Sequence, residues 1–277
     1  MNRLIDLSHT IEDGIVTYRG LPAPVVCDFL SREASKEHYS EGTSFHIGRI
    51  DMVANTGTYV DSPFHRFADG KDLSELELES LANLPGICVN LAESLSSRPP
   101  QEPSSRPPQE PSSRHPQELS SRTPIRDLPG DDSGPGSPLR SGRDDRGVGP
   151  EAFEGLDVAG KAVLVHTGWA RHWNTDAYFE GHPFLTRAAA EWLRDNGAAL
   201  VGIDSLNIDD IEDGARPVHT TLLGADIPIA EHLCGLEQLP ESGFAFHAAP
   251  VKVRGMGTFP VRAYAVLGDI GPPVNLR

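Results

Sequence analysis

From Ser96 the chain reads SSRPPQEP SSRPPQEP SSRHPQEL SSRTP, an octad repeated almost unchanged, and continues as IRDLPGDDSGPGSPLRSGRDDRG to Gly147. A tract so rich in proline, serine, arginine and glycine has almost no apolar surface to offset its ordering entropy, so 96–147 is expected to be a disordered insert. Long surface insertions are tolerated because loop-closure entropy grows only logarithmically with length. The fold must therefore come from two separated blocks, 1–95 and 148–277, closing into a single α/β domain.

Charge narrows the partners. Lys and Arg number 24 against 40 Asp and Glu, a formal net charge of -16, and a surface of that sign repels nucleic acid. Cys27, Cys88 and Cys234 are odd in number and show no CxxC spacing, so they read as buried free thiols in a reducing compartment. No segment approaches the ~18 consecutive apolar residues of a membrane span. A soluble cytoplasmic protein acting on a small molecule, with no membrane or nucleic-acid partner, is expected.

Outside the tract the pattern is that of a folded sheet domain. FHIGRIDMVAN, GICVNL, KAVLVHTGW, ALVGID, GFAFHAAPVKV and PVRAYAVL read as strands. TRAAAEWLRDNGAA reads as a helix capped by Thr186 and terminated by Gly197, feeding a strand from Ala199 to Asp204. Many short strands with few long helices favour a mixed sheet over a regular βαβ repeat.

Metal-assisted hydrolysis needs His and carboxylate ligands converging on one point with a position left open. Asp61 and His65 in DSPFH are the first candidates, and Pro63 between them places them on a turn at a strand end rather than on a helix. A turn-capping Asp beside a surface His fits the same residues. His219 and Glu231, twelve residues apart in HTTLLGADIPIAEHL, form the second pair, with His219 read as a loop residue and Glu231 and His232 at the end of a short helix. Trp169, Trp173, Tyr178 and Phe179 suit either a pocket for an aromatic substrate or ordinary core packing, while His166, His172 and His182 suit structural hydrogen bonding. The acidic loop from Asp204 to Gly214 lacks a calcium-loop register and reads as solvated, with Asp204 closing a strand end. Ser62 has no nucleophile-elbow context, and GMGTF lacks the lysine of a phosphate loop, so no nucleotide cofactor is implied.

Taken together these segments resemble the cyclase family that includes bacterial kynurenine formamidases and isatin hydrolases. Its motif H-x-G-T-H-x-D-x-P-x-H aligns with NTGTYVDSPFH, matching Gly57, Thr58, Asp61, Pro63 and His65. DLSHTI, GKAVLVHTGW, LVGIDSLNIDD, the His219 to Glu231 segment and APVKVRGMGTFPVRAYAVL extend the likeness. The resemblance implies a swivelling β/β/α fold with a mixed sheet. It also implies divalent-metal binding at Asp61, His219 and Glu231, and proton transfer at His65.

Two metal-ligand histidines of the motif are Asn55 and Tyr59 here, which makes a binuclear site improbable and leaves a single ion, Mn, Mg or Zn, on the remaining ligands. Tyr59 then becomes a catalytic candidate as a donor to a developing oxyanion, beside His65 and Glu231. Asn55, Phe64 and Trp169 are the substrate-binding candidates. The implied reaction is arylformamidase-like hydrolysis of an amide or cyclic amide, as in tryptophan catabolism, by a homodimer or homotetramer. A metal-free lyase or cyclase using His65 and Tyr59, and a non-catalytic small-molecule-binding protein, remain as alternatives.

Overall fold

The computed structural model describes residues 3–96 and 146–268, so the repeat tract and the expectation of disorder there lie outside the described residues. The strands are β1 (Arg3–Asp6), β2 (Val25–Leu30), β3 (Ile47–Asp51), β4 (Tyr59–Asp61), β5 (Leu84–Asn90), β6 (Gly147–Val148), β7 (Ala162–His166), β8 (Phe184–Leu185), β9 (Leu200–Ile203), β10 (Ile229–Glu231), β11 (Ser242–His247), β12 (Thr258–Pro260) and β13 (Tyr264–Leu267). The helices are α1 (Arg32–Ser35), α2 (Ala92–Ser96), α3 (Arg187–Asp195) and α4 (Pro217–Leu223). Nine strands form one sheet in the order β1-β13-β11-β5-β7-β9-β10-β4-β12. Its centre, β5-β7-β9-β10, is parallel. Both flanks are antiparallel. This is the mixed α/β architecture expected from the sequence.

The central strands read as unbroken apolar runs because parallel strands are covered on both faces. Their period of two appears in which core each side chain enters. Val163, Val165, Val201 and Ile203 pack with Ala189, Ala190 and Leu193 of α3 on one face. Leu164, Leu200, Cys88 and Ala230 pack with Leu233 and Phe246 on the other. Gly202 belongs to this second face, where an added Cβ would stand 2.7 Å from Leu233 and 2.8 Å from Leu164, so the packing leaves no room for a side chain there.

Helix α3 starts as read, with the Thr186 hydroxyl accepting from the Ala189 N–H at 3.2 Å, and ends before Gly197, whose φ is 77°. Elsewhere local patterns misled. His219 lies on α4, not on a loop, because Pro217 sits in the first turn where its missing N–H costs nothing. Glu231 ends strand β10, not a helix. The alternation in FHIGRIDMVAN buries nothing: β2 and β3 pair as a separate ribbon with Phe29 73% and Ile50 56% exposed. Cys27 lies on that ribbon and is exposed; Cys88 is buried and Cys234 half-buried. No helix among the described residues is long and apolar enough to cross a membrane.

Candidate functional site

Strand β4 lies between β10 and β12, and its register places Tyr59 opposite Glu231 and Asp61 opposite Thr258. Directly opposed residues of an antiparallel pair project on the same face and touch. The Tyr59 hydroxyl accordingly donates to Glu231 Oε2 at 2.6 Å, and the Thr258 hydroxyl donates to Asp61 Oδ1. All four side chains are buried.

Beyond Asp61 the chain turns tightly through Pro63–His65. The Ser62 N–H donates to the Gly257 carbonyl at 2.7 Å, and a Cβ on Gly257 would lie 2.4 Å from the His65 nitrogen. Gly257 of GMGTF thus serves close backbone packing beneath His65. His65 Nδ1 is 2.8 Å from Thr258 Oγ1. Thr258 spends its single proton on Asp61, so in the neutral ring Nδ1–H is the donor to Thr258 and Nε2 carries the free lone pair.

His219 arrives on α4 and is aimed by Asp209. That carboxylate is fully buried and accepts the N–H groups of Val218 and His219 at 2.7 and 3.0 Å and the His219 ring Nδ1 at 2.6 Å. His219 Nε2 consequently faces Asp61 Oδ2 at 3.7 Å and Glu231 Oε1 at 3.8 Å. Glu231 Oε1 also accepts the Ile208 N–H at 2.6 Å, whereas Asp61 Oδ2 is buried without a hydrogen-bond partner. One ligand atom each from Asp61, His65 and His219 lie mutually within 4.8 Å. A carboxylate with an unused oxygen beside two imidazoles fits one divalent cation. Glu231 adjoins this trio through His219, with both of its oxygens already hydrogen-bonded.

Burial dominates the electrostatics but does not always win. Asp61 is pushed up by burial, yet the charge of His65 and the closeness of His219 outweigh it and hold the acid below its ordinary value. His219 is lowered by burial but raised by Asp209, Asp61 and Glu231, to about 10. Glu231 is raised, by burial first and by Asp61 among its neighbours. Tyr59 is held well above the usual phenol value by burial and by Glu231 and Asp61, against a smaller opposing pull from Asn55.

A cavity of about 290 Å³ opens onto this cluster and is lined by Asn55, Tyr59, His65, His219 and Glu231 among the expected residues. Phe64 and Trp169 do not line it. The Trp169 indole donates to the Tyr178 carbonyl at 3.0 Å, and Phe64 is half-buried. Trp173 and Tyr178 form a wall behind the cavity instead: Trp173 stacks on His9 at 3.9 Å, and the Tyr178 hydroxyl is 2.9 Å from Nδ1 of His232, whose ring lies 5.1 Å from that of Tyr59. Aromatic composition cannot tell a pocket lining from the layer behind it. Sequence reasoning missed Asp209, taken for part of a solvated loop, Thr258, and the lining residues Tyr18, Arg66, Asn207 and Arg216. None sits in a local pattern that marks it.

Four histidines set a pH signature. Burial lowers His9 and His182 to about 4 and His232 to about 3. Unfolded, each takes a proton near 6.5, so their contribution to stability is present above that value and fades as the pH falls toward 4. His219 has the opposite sign: its contribution is complete below 6.5 and is lost as the pH rises toward 10. Melting temperatures of the chelator-treated protein should therefore be highest near pH 6.5 and decline on both sides. A melting temperature rising steadily from pH 6.5 to 10 would contradict the His219 assignment.

Comparison with known proteins identifies the family. The Cyclase family model, described as "Putative cyclase", matches residues 5–109 and 150–210, more than half of the chain. A kynurenine formamidase from Geobacillus thermodenitrificans is 22% identical over 265 residues, 95% of this chain and 97% of that protein. One from Erythrobacter litoralis is 23% identical over 252 residues, 91% of this chain and 88% of that protein. Among solved structures, isatin hydrolase A from Ralstonia solanacearum superposes with a TM-score of 0.70 at 19% identity, covering 96% of this chain and 92% of its own. A potential metal-dependent hydrolase with cyclase activity gives 0.65 at 21% identity, covering 97% of this chain and 100% of its own. The chain belongs to the Cyclase family.

Proposed function

We propose that the protein hydrolyses a C–N bond in a small amide or cyclic amide, the reaction class named by its kynurenine formamidase and isatin hydrolase relatives, using one divalent ion where the family motif provides for two. The observation that carries this reading is the buried, unpartnered Asp61 Oδ2 facing His219 Nε2 at 3.7 Å beneath an open cavity. In this reading Asp61, His219 and Glu231 are the ligands, and His65, which stands within 4.8 Å of Asp61 and His219, is kept for proton transfer. Bound there, the ion supplies Lewis acidity toward the amide carbonyl and acidifies water.

The remaining steps belong to side chains. His65 Nε2, left unprotonated by the Thr258 hydrogen bond, takes the proton from water and returns it to the departing nitrogen. Burial works against the Asp61 charge, but the charge His65 gains on taking that proton, together with His219 and the Thr258 hydroxyl, outweighs it and keeps Asp61 ionised. Tyr59 fills the place of a histidine ligand and holds Glu231 through its hydroxyl at 2.6 Å. Asn55 stands beside that hydroxyl at the cavity wall.

Replacing His65 by Ala should leave the ion bound and lower turnover at least ~100-fold on an arylformamide or cyclic amide, the scale of a positioned base. Glu231→Gln should lose both ion and turnover. Elemental mass spectrometry alongside rate measurement separates the two variants, and loss of the ion on His65→Ala would make His65 a ligand. A second reading is favoured by His219 itself: an imidazolium between Asp61 and Glu231 balances the buried charge and suits a metal-independent lyase or cyclase working through His65 and Tyr59. Activity that survives exhaustive chelation would select it.

The β2–β3 ribbon supports a homodimer. Val25, Phe29, Phe45 and Ile50 are each more than half exposed on or beside it, an apolar surface of the kind that marks an interaction site. Light scattering should report a dimer that Phe29→Asp with Ile50→Asp converts to monomer. A monomeric wild type, or a dimer indifferent to the pair of substitutions, would exclude the ribbon as the interface.

A further inference from the structure

The cavity over Asp61 and His219 sets a few strongly polar groups in a largely apolar surface. Leu21 is its one aliphatic lining residue among those described; Asn55, Asn207, Arg66 and Arg216 face it from the sides. Burying an apolar ring against these groups would strip water from them without replacing its hydrogen bonds. The two guanidinium groups and two amides suit a ligand that accepts hydrogen bonds and carries negative charge.

Both guanidinium groups are fixed by the elements that hold the reacting side chains. Arg66 follows His65 directly, and its Nε donates at 3.1 Å to the hydroxyl of Thr220, the residue after His219. Arg216 precedes Pro217 and α4, and its Nη1 donates to the Asp210 carbonyl at 2.9 Å. Its backbone is left-handed, with φ 45° and ψ 61°, a conformation a non-glycine residue keeps only where its surroundings over-determine it. The surroundings here are the Asp209 bonds to Val218 and His219 just beyond. Among the described residues no carboxylate stands within ion-pair distance of Arg66 or Arg216. Arg66 also lies over the Phe67 ring at 5.3 Å and Arg216 hydrogen-bonds Tyr18, but neither guanidinium has a carboxylate partner among the described residues, so both are open to one from outside.

We propose that Arg66 and Arg216 form a carboxylate clamp, and that the substrate is a small acylated amine bearing a carboxylate close to its amide, an N-acyl amino acid, for which an aromatic ring is not required. The planar guanidinium fork matches a carboxylate in two parallel hydrogen bonds. Because Arg66 directly follows His65 and Arg216 stands three residues before His219, a carboxylate held there sets the neighbouring amide over Asp61 and within reach of His65. The placement of the amide rests on the hydrolase reading; the clamp itself does not.

The test uses the full chain with N-formylalanine and its methyl ester, which differ by the carboxylate charge and one methyl group, followed by titration calorimetry and by formate release. The acid should bind about tenfold tighter than the ester or more at low ionic strength. That advantage should shrink as salt screens it. Arg66→Gln and Arg216→Gln should each remove most of it and leave ester affinity unchanged; Arg66 is exposed, so its replacement keeps the test valid if the Arg216 variant fails to fold. Equal binding of acid and ester, no binding of the acid, or a preference that survives Arg66→Gln would overturn the clamp. Preferential binding of the acid without formate release would leave the clamp standing and sink the hydrolase reading. Formate released from both at equal kcat/KM would do the reverse.

Discussion

The register of β4 against β10 and β12 is the constraint on which the site depends. It puts Tyr59 across from Glu231 and Asp61 across from Thr258, so two of the cluster's hydrogen bonds follow from strand pairing alone. A slip of one residue would turn Asp61 and Tyr59 onto the opposite face and scatter the cluster. The pairing is secured on both sides, since β10 also pairs with β9 in the buried parallel centre of the sheet. The turn carrying His65 is pinned to the same frame by Ser62 and Gly257.

Onto this frame α4 delivers His219, and electrostatics explains why the cluster is tolerated. Asp61, Asp209 and Glu231 are each at most 1% exposed, a cost that isolated carboxylates could not sustain. His219 faces all three, at 3.7, 2.6 and 3.8 Å. The same convergence that offsets burial leaves one oxygen of Asp61 unused beside an imidazole nitrogen, which is the arrangement a cation requires. The Tyr59 phenol then holds Glu231 by a neutral hydrogen bond, and so joins the cluster without adding charge to it.

Much of this was legible. The apolar runs gave the central strands, Thr186 and Gly197 bounded α3, and the spacing around Asp61 and His65 pointed to a turn at a strand end. What escaped reading depends on distant segments meeting. Asp209 looks like one more acid in NIDDIED until the chain folds back to cap α4, and Thr258 matters only because β12 pairs with β4. His219 follows a proline, which suits a loop and the first turn of a helix equally, and only tertiary packing decides between them. Of the aromatics between Trp169 and Phe179, whose composition suits either a pocket or the core, Trp173 and Tyr178 pack with His232 behind Tyr59. The β2–β3 ribbon shows that strand periodicity does not by itself report burial.

In the proposed mechanism Tyr59, hydrogen-bonded to Glu231, stands where a histidine ligand would sit, and the site holds one divalent ion instead of two. The most direct measurement is the number of divalent ions per chain, by elemental mass spectrometry, in the wild type and in Asn55→His/Tyr59→His after reconstitution with manganese or zinc. One ion is expected in the wild type and a second once both imidazoles are restored. Two ions in the wild type, or a count that the paired substitution does not change, would contradict that mechanism.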